Sequence, residues 1–277
     1  MTGHHGHTTV GLGGASVLVV VLAAGAALYV GAGWRAGRRG LQWPVGRTAL
    51  FLIGVAVATA PLAGPLADRA ATDFRFHMVG HVLSGMAAPL LIVSAAPVTL
   101  ALRALPAERA RTLTRLLRSR PFVVLTHPVV AATLSVGGLY VLYRTGLYEA
   151  SMQQPLLHLV VHAHVLLAGL LVTFSLVGPD PAPHRAGLAV RAAVLVLAVA
   201  AHNVLAKLVY ADPPAGVAAD QAMTAAQVMY YAGAPIEIAL FVLLGREWLA
   251  RDGRERSRGC GHPAQAAALD EPVGDRQ

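Results

Sequence analysis

The chain is 277 residues long, 56% apolar and only 13% charged, with a mean hydropathy of +0.58. A soluble domain carries roughly a quarter charged residues, whereas the apolar residues here fall in runs of about 18–25, long enough to cross about 30 Å of hydrocarbon as helix. That excludes a soluble globule and also a β-barrel, whose spanning segments are short and alternating. The net charge of +8 comes from arginines between the apolar runs rather than from a basic face with interleaved aromatics, so the implied partner is the lipid bilayer and not nucleic acid.

The chain opens on MTGHHGH, whose His4, His5 and His7 lie in a leader of residues 1–11. Such a tract is either a loose metal collector or a solvated tail. Helices follow at 12–33, 48–67, 79–102, 122–143, 156–177, 188–210 and 224–244, an all-α polytopic transmembrane bundle of about seven helices. The first connection carries Arg35, Arg38, Arg39 and Arg47, and the third Arg103, Arg109, Arg111, Arg115, Arg118 and Arg120. The fifth has Arg185 and Arg191, and the tail begins with Arg246, Arg251 and Arg254. The even connections are balanced or acidic. By the positive-inside rule the odd connections and the C-terminus are cytoplasmic, the N-terminus is outside, and the protein is a multi-pass membrane protein. The first helix has nothing basic before it, the reverse of a cleavable signal peptide. Residues 12–245 form the transmembrane domain, and 246–277 read as a disordered cytoplasmic tail without apolar periodicity. Its Cys260 is the single cysteine, so there is neither an intrachain disulfide nor a CxxC metal site.

Ionisable residues inside spans are costly and face a bundle interior or a cavity. Most of the 12 histidines lie at or inside the expected spans. His77 and His81 open the third helix, spaced i, i+4 on one face. His158 and His162 repeat that spacing in the fifth, where His164 points elsewhere. His202 lies in the outer half of the sixth. At about 1.5 Å per residue, His81, His162 and His202 share an outer layer about 10 Å deep. Imidazole is a ligand for copper, zinc and iron, so these five histidines are the candidate metal site; the alternative is histidines that only hydrogen-bond across helices. Met78 and Met86 flank the first pair, as packing or as soft ligands. Lys207 either snorkels or pairs with an acid such as Asp73, itself an interfacial residue or a helix cap. A second, inner set is His127 with Glu237, expected to face each other either as a proton or ion relay or as a structural ion pair.

Several stretches together resemble the polytopic CtaG-like cytochrome c oxidase assembly proteins of Gram-positive and actinobacterial type. They are FRFHMVGHVLSGMAAPLLIVSAAP, the THP at 126–128, HLVVHAHVLLAGLLVTFSLVGPDP, AHNVLAKLVYADPP and APIEIAL. The resemblance covers residues 45–250, leaving out the first helix and the tail. It implies a non-enzymatic role in maturing a haem–copper oxidase, with oxidase subunits as partners and copper handled on the outer side. The family's characteristic histidines would correspond to His77, His81, His127, His158, His162 and His202. Two further classes stay open: a redox protein holding haem between axial histidines, and a copper or proton transporter. No P-loop and no nucleophile–base arrangement is present, so an enzyme is not expected.

Overall fold

The computed structural model describes residues 11–259, with side chains for 16–252, and every regular element among them is helical. In chain order these are α1 (Gly11–Arg38), α2 (Val45–Thr59), α3 (Pro65–Ala70), α4 (Phe74–Ser94), α5 (Pro97–Ala104), α6 (Ala107–Leu117) and α7 (Arg120–Leu125). They continue with α8 (Pro128–Arg144), α9 (Leu147–Gln153), α10 (Pro155–Val177), α11 (Leu188–Ala211) and α12 (Ala219–Gly259). Five helices, α1, α4, α10, α11 and α12, are long and apolar enough to cross a membrane, while α2 and α8 are apolar but shorter. Large apolar side chains such as Leu28, Leu156, Leu197 and Ile238 face outward, the surface of a membrane protein.

Proline sets several of the ends that differ from the expected spans. The second span stops at Thr59 rather than 67, because Pro61 has no N–H and its ring clashes with the preceding turn. Fifteen residues rise about 22 Å, short of the hydrocarbon thickness. The third begins at Phe74 and ends at Ser94, where Ala96 takes a left-handed conformation (φ 53°) and Pro97 starts α5. The fourth starts at Pro128 instead of 122, after a break at Thr126 and His127. The last helix runs beyond 244 to Gly259, so the polar segment from 246 begins as helix; residues 260–277 lie outside the described part.

Helix α4 is central, packing on α2, α3, α10 and α12. Its first turn is capped by Asp73, which accepts from Arg75 N at 2.9 Å and forms an ion pair with the Arg75 side chain. That pair holds the Asp73 carboxyl below its usual range. Phe74 N donates to Gln221 Oε1 (3.1 Å), tying α4 to α12. Helices α4 and α10 meet at small residues: a Cβ on Gly169 would collide with the Gly85 carbonyl. Both α4 and α8 contain a π-helical turn, at Leu83–Ala87 and Thr133–Gly137.

The two ends of the bundle differ. At one, the buried Arg191 donates to Leu176 O (2.8 Å) and grips both Glu247 oxygens (2.8 and 2.7 Å), joining α10, α11 and α12. Beside it Asp180 accepts from Val98 N and Thr99 N (3.1 and 2.7 Å), satisfying the first turn of α5. At the other end Arg144 donates to Asp212 O (2.8 Å) and pairs with its carboxylate. His77, His158 and His162 gather toward this second end, where His77 stands against Tyr148.

Candidate metal centre

Four helices supply the centre. On α4, His77 and His81 sit one turn apart and are both buried. Helix α10 brings His158 and His162, half-buried near its start. Helix α11 contributes His202 and Asn203, and α12 contributes Glu237. The five candidate histidines fall into two sets rather than around one point.

The first set is aromatic. The rings of His158 and His162 are 4.4 Å apart, and His162 is 6.3 Å from His77. The Tyr143 hydroxyl lies 3.3 Å from His77 Nε2, and Tyr148 stands edge-on to His77 at 4.9 Å. Burial, with the charge of Asp73 nearby, pushes the Tyr148 hydroxyl up to about 12. It is therefore a neutral wall of the cluster at ordinary pH.

The second set is a carboxylate–histidine arrangement beside a cavity. His202 Nδ1 is 2.9 Å from Glu237 Oε1, and Asn203 Nδ2 donates to Glu237 Oε2 at 3.2 Å and to Val199 O at 2.9 Å. With Glu237 ionised and His202 neutral, Nδ1 would donate and Nε2 would keep its lone pair, since an ionised carboxylate only accepts. His202 Nε2 and both ring nitrogens of His81 are buried and have no hydrogen-bond partner. Leaving a buried polar group unpaired costs about 1–3 kcal/mol, so three in one place call for an explanation. The His81 and His202 rings are 6.1 Å apart. Both line a cavity of about 80 Å³ together with Met86, Thr173, Glu237 and Leu240. A Cβ placed on Gly233 would come within 3.4 Å of His202 Cε1 and 3.6 Å of Met86 Sδ, so both side chains border that glycine.

The π turn in α4 explains how His81 and Met86 share this cavity. Five residues apart on an ordinary α-helix, they would point about 140° away from each other. The extra residue in the Leu83–Ala87 turn brings them toward one side.

The remaining candidates lie elsewhere. His127 is exposed at the N-cap of α8 and forms no ion pair with Glu237 among the described residues. The partners of Glu237 are His202 and Asn203 in its place. The reason is depth: the expected inner position of Glu237 ignored how far into the bundle α11 brings His202. Met78 is packed in the core with Leu205 and Met229, Lys207 is exposed, and Asp73 is engaged by Arg75 rather than Lys207. His164 is exposed, its Nε2 3.0 Å from Leu134 O in the α8 π turn. Among the described residues no group of three or more His, Cys, Asp or Glu is arranged to hold a metal ion. The donor set at the cavity is two imidazoles and a thioether, which suits copper and, through the sulfur, Cu(I). Tyr143, Tyr148 and Asn203 were not among the candidate site residues of the sequence, where only the adjacency of Asn203 to His202 offered a signal of that kind.

The family model of the cytochrome c oxidase caa3 assembly factor (Caa3_CtaG) matches residues 27–251, all of this centre included. The chain belongs to that family. The match starts inside α1, so the first helix is partly within the family region rather than outside it. Similar chains include Uncharacterized protein Mb0105 of Mycobacterium bovis and Uncharacterized protein MT0111 of Mycobacterium tuberculosis. Each is 36% identical over 173 residues, 59% of this chain and 26% of the relative. Uncharacterized protein ML1998 of Mycobacterium leprae is 33% identical over 171 residues, 57% of this chain and 26% of the relative. The chain thus spans about a quarter of the length of these curated relatives. No solved structure matches it.

Proposed function

We propose that this chain is a multi-pass assembly factor of the bacterial plasma membrane that handles copper for a haem–copper cytochrome c oxidase, taking the ion as cargo at His81, His202 and Met86. The observation that carries the reading is the state of His202: Nδ1 is held by Glu237 while Nε2 points, buried and unpartnered, at a cavity shared with His81 and a thioether. Carboxylate–histidine–metal triads use this arrangement, in which the outer partner fixes the tautomer and raises the basicity of the ligating nitrogen. Membership of the oxidase assembly family supports the same reading.

In this reading the bundle crosses the membrane seven times, α3 and α7 extending the short α2 and α8, with the arginine-rich end in the cytoplasm and the histidine end outward. Copper then reaches or leaves the centre without crossing the whole bilayer, and oxidase subunits receive it. His81 and His202 act as neutral imidazole donors, Met86 favours the monovalent ion, and Glu237 with Asn203 orients His202. The test is to purify the protein and measure copper per folded chain for the wild type and for His81→Ala and His202→Ala. Copper in the wild type that falls in both variants supports the site. Wild type without copper above a detergent blank, or variants that bind as the wild type does, removes it, and a Soret band in the wild type would point to haem instead.

A further inference from the structure

The histidines of the first set are not used by this centre, yet they adjoin it. The rings of His158, His162 and His77 follow one another at 4.4 and 6.3 Å. His81 is one helical turn beyond His77 on the same helix, and His202 is 6.1 Å from His81. Burial deepens along this order: His158 and His162 are half-buried, while His77, His81 and His202 are 5–7% exposed. The line therefore starts near the surface and ends at the cavity. Tyr143 walls it midway, its ring 6.1 Å from His77 and 6.3 Å from His81.

From this juxtaposition we infer that His158, His162 and His77 form a loading path through which Cu(I) passes, imidazole by imidazole, from the outer end of the bundle to His81 and His202. The inference rests on the copper reading given above, which concerns only the deep end. Each transfer is a ligand exchange: a bond from copper to the next ring nitrogen forms as the bond to the previous one breaks. No electron moves, and the neutral rings need neither gain nor lose a proton overall. The spacing allows it, since successive rings lie within reach of one another after rotamer changes, so the ion need never be released bare into an apolar interior, where an unpaired charge is very costly. Tyr143 acts as a positioning residue, its hydroxyl fixing His77.

The test is kinetic. The full-length purified protein is mixed with Cu(I) held by a chromophoric chelator, and copper transfer to the protein is followed in time and at its end point. The wild type is compared with a His158→Gln, His162→Gln double variant, and with His158→Gln alone, a half-exposed position at which folding is least at risk. Loading slowed by about tenfold or more in the double variant, equivalent to about 1.4 kcal/mol of added barrier, with an end point equal to wild type, is the expected result. Loading at the wild-type rate in both variants overturns the path. A lowered end point also overturns it, because His158 and His162 would then hold the ion rather than pass it. Failure of the wild type to take up copper sinks the underlying copper reading itself, a result separable from either of these.

Discussion

A single nitrogen atom decides whether His202 is a ligand or a structural residue. With Glu237 holding Nδ1, the lone pair of Nε2 faces the cavity; without that hold both tautomers are free to form. Glu237→Gln keeps an acceptor for Nδ1 but removes the charge, so we expect Cu(I) affinity to fall by about 10–100-fold, the usual effect of losing an outer partner, while the fold survives. Competition against a chromophoric Cu(I) chelator measures this, and an unchanged affinity would separate Glu237 from the metal. Met86→Leu, a near-isosteric change that costs less than about 1.5 kcal/mol, should remove sulfur from the copper coordination seen by X-ray absorption. If the wild type shows no sulfur scatterer, Met86 is only packing. At this scale the histidine pattern was legible in the sequence, because i, i+4 spacing places side chains on one face without knowledge of any neighbour. The partner of Glu237 was not, since which helix faces α12 is a tertiary fact, and matched depth led to His127 instead of His202.

Among the elements, α10 and α11 were readable almost to the residue, 156–177 against Pro155–Val177 and 188–210 against Leu188–Ala211. Each is a single apolar helix with no internal proline to stop it. The broken elements were harder. Pro61, Pro97 and Pro128 end or start helices within runs whose hydropathy stays high, so a sliding average passes over the break. The close contact of α4 with α10 depends on Gly169 lying against the Gly85 carbonyl. Gly169→Leu should force these helices apart and cost about 1–3 kcal/mol by overpacking, visible as a lowered Tm in detergent. It should also reduce copper loading, because α10 carries His158 and His162 and α4 carries His77 and His81. A variant with wild-type Tm would show that the contact is not a constraint.

For the whole molecule, polarity of the two ends is the property that matters most. One end is clamped by Arg191, Glu247 and Asp180, and toward the other lie His77, His158 and His162. The orientation proposed above makes the first end cytoplasmic, and Cys260, the one thiol of the chain, tests it. It should resist a membrane-impermeant maleimide in intact cells and react in inverted vesicles; labelling in intact cells would reverse the orientation. Membranes from a strain lacking this protein should contain cytochrome c oxidase depleted of copper, and normal copper content would remove the assembly role.

The π turn of α4 makes the centre depend on chain length as well as on residue identity. The half of the helix that carries His77 and His81 and the half that packs on α2 are held in phase by one additional residue. Winding the same residues as an ordinary helix would rotate the two halves by about 100° relative to each other. Hydropathy, charge and every histidine would be unchanged, yet His77 and His81 would turn toward a different neighbour. Among relatives, then, a gap of one position in this turn would mark an ordinary helix that keeps both faces in place, whereas a change that unwinds the π turn at constant length would turn the histidines away.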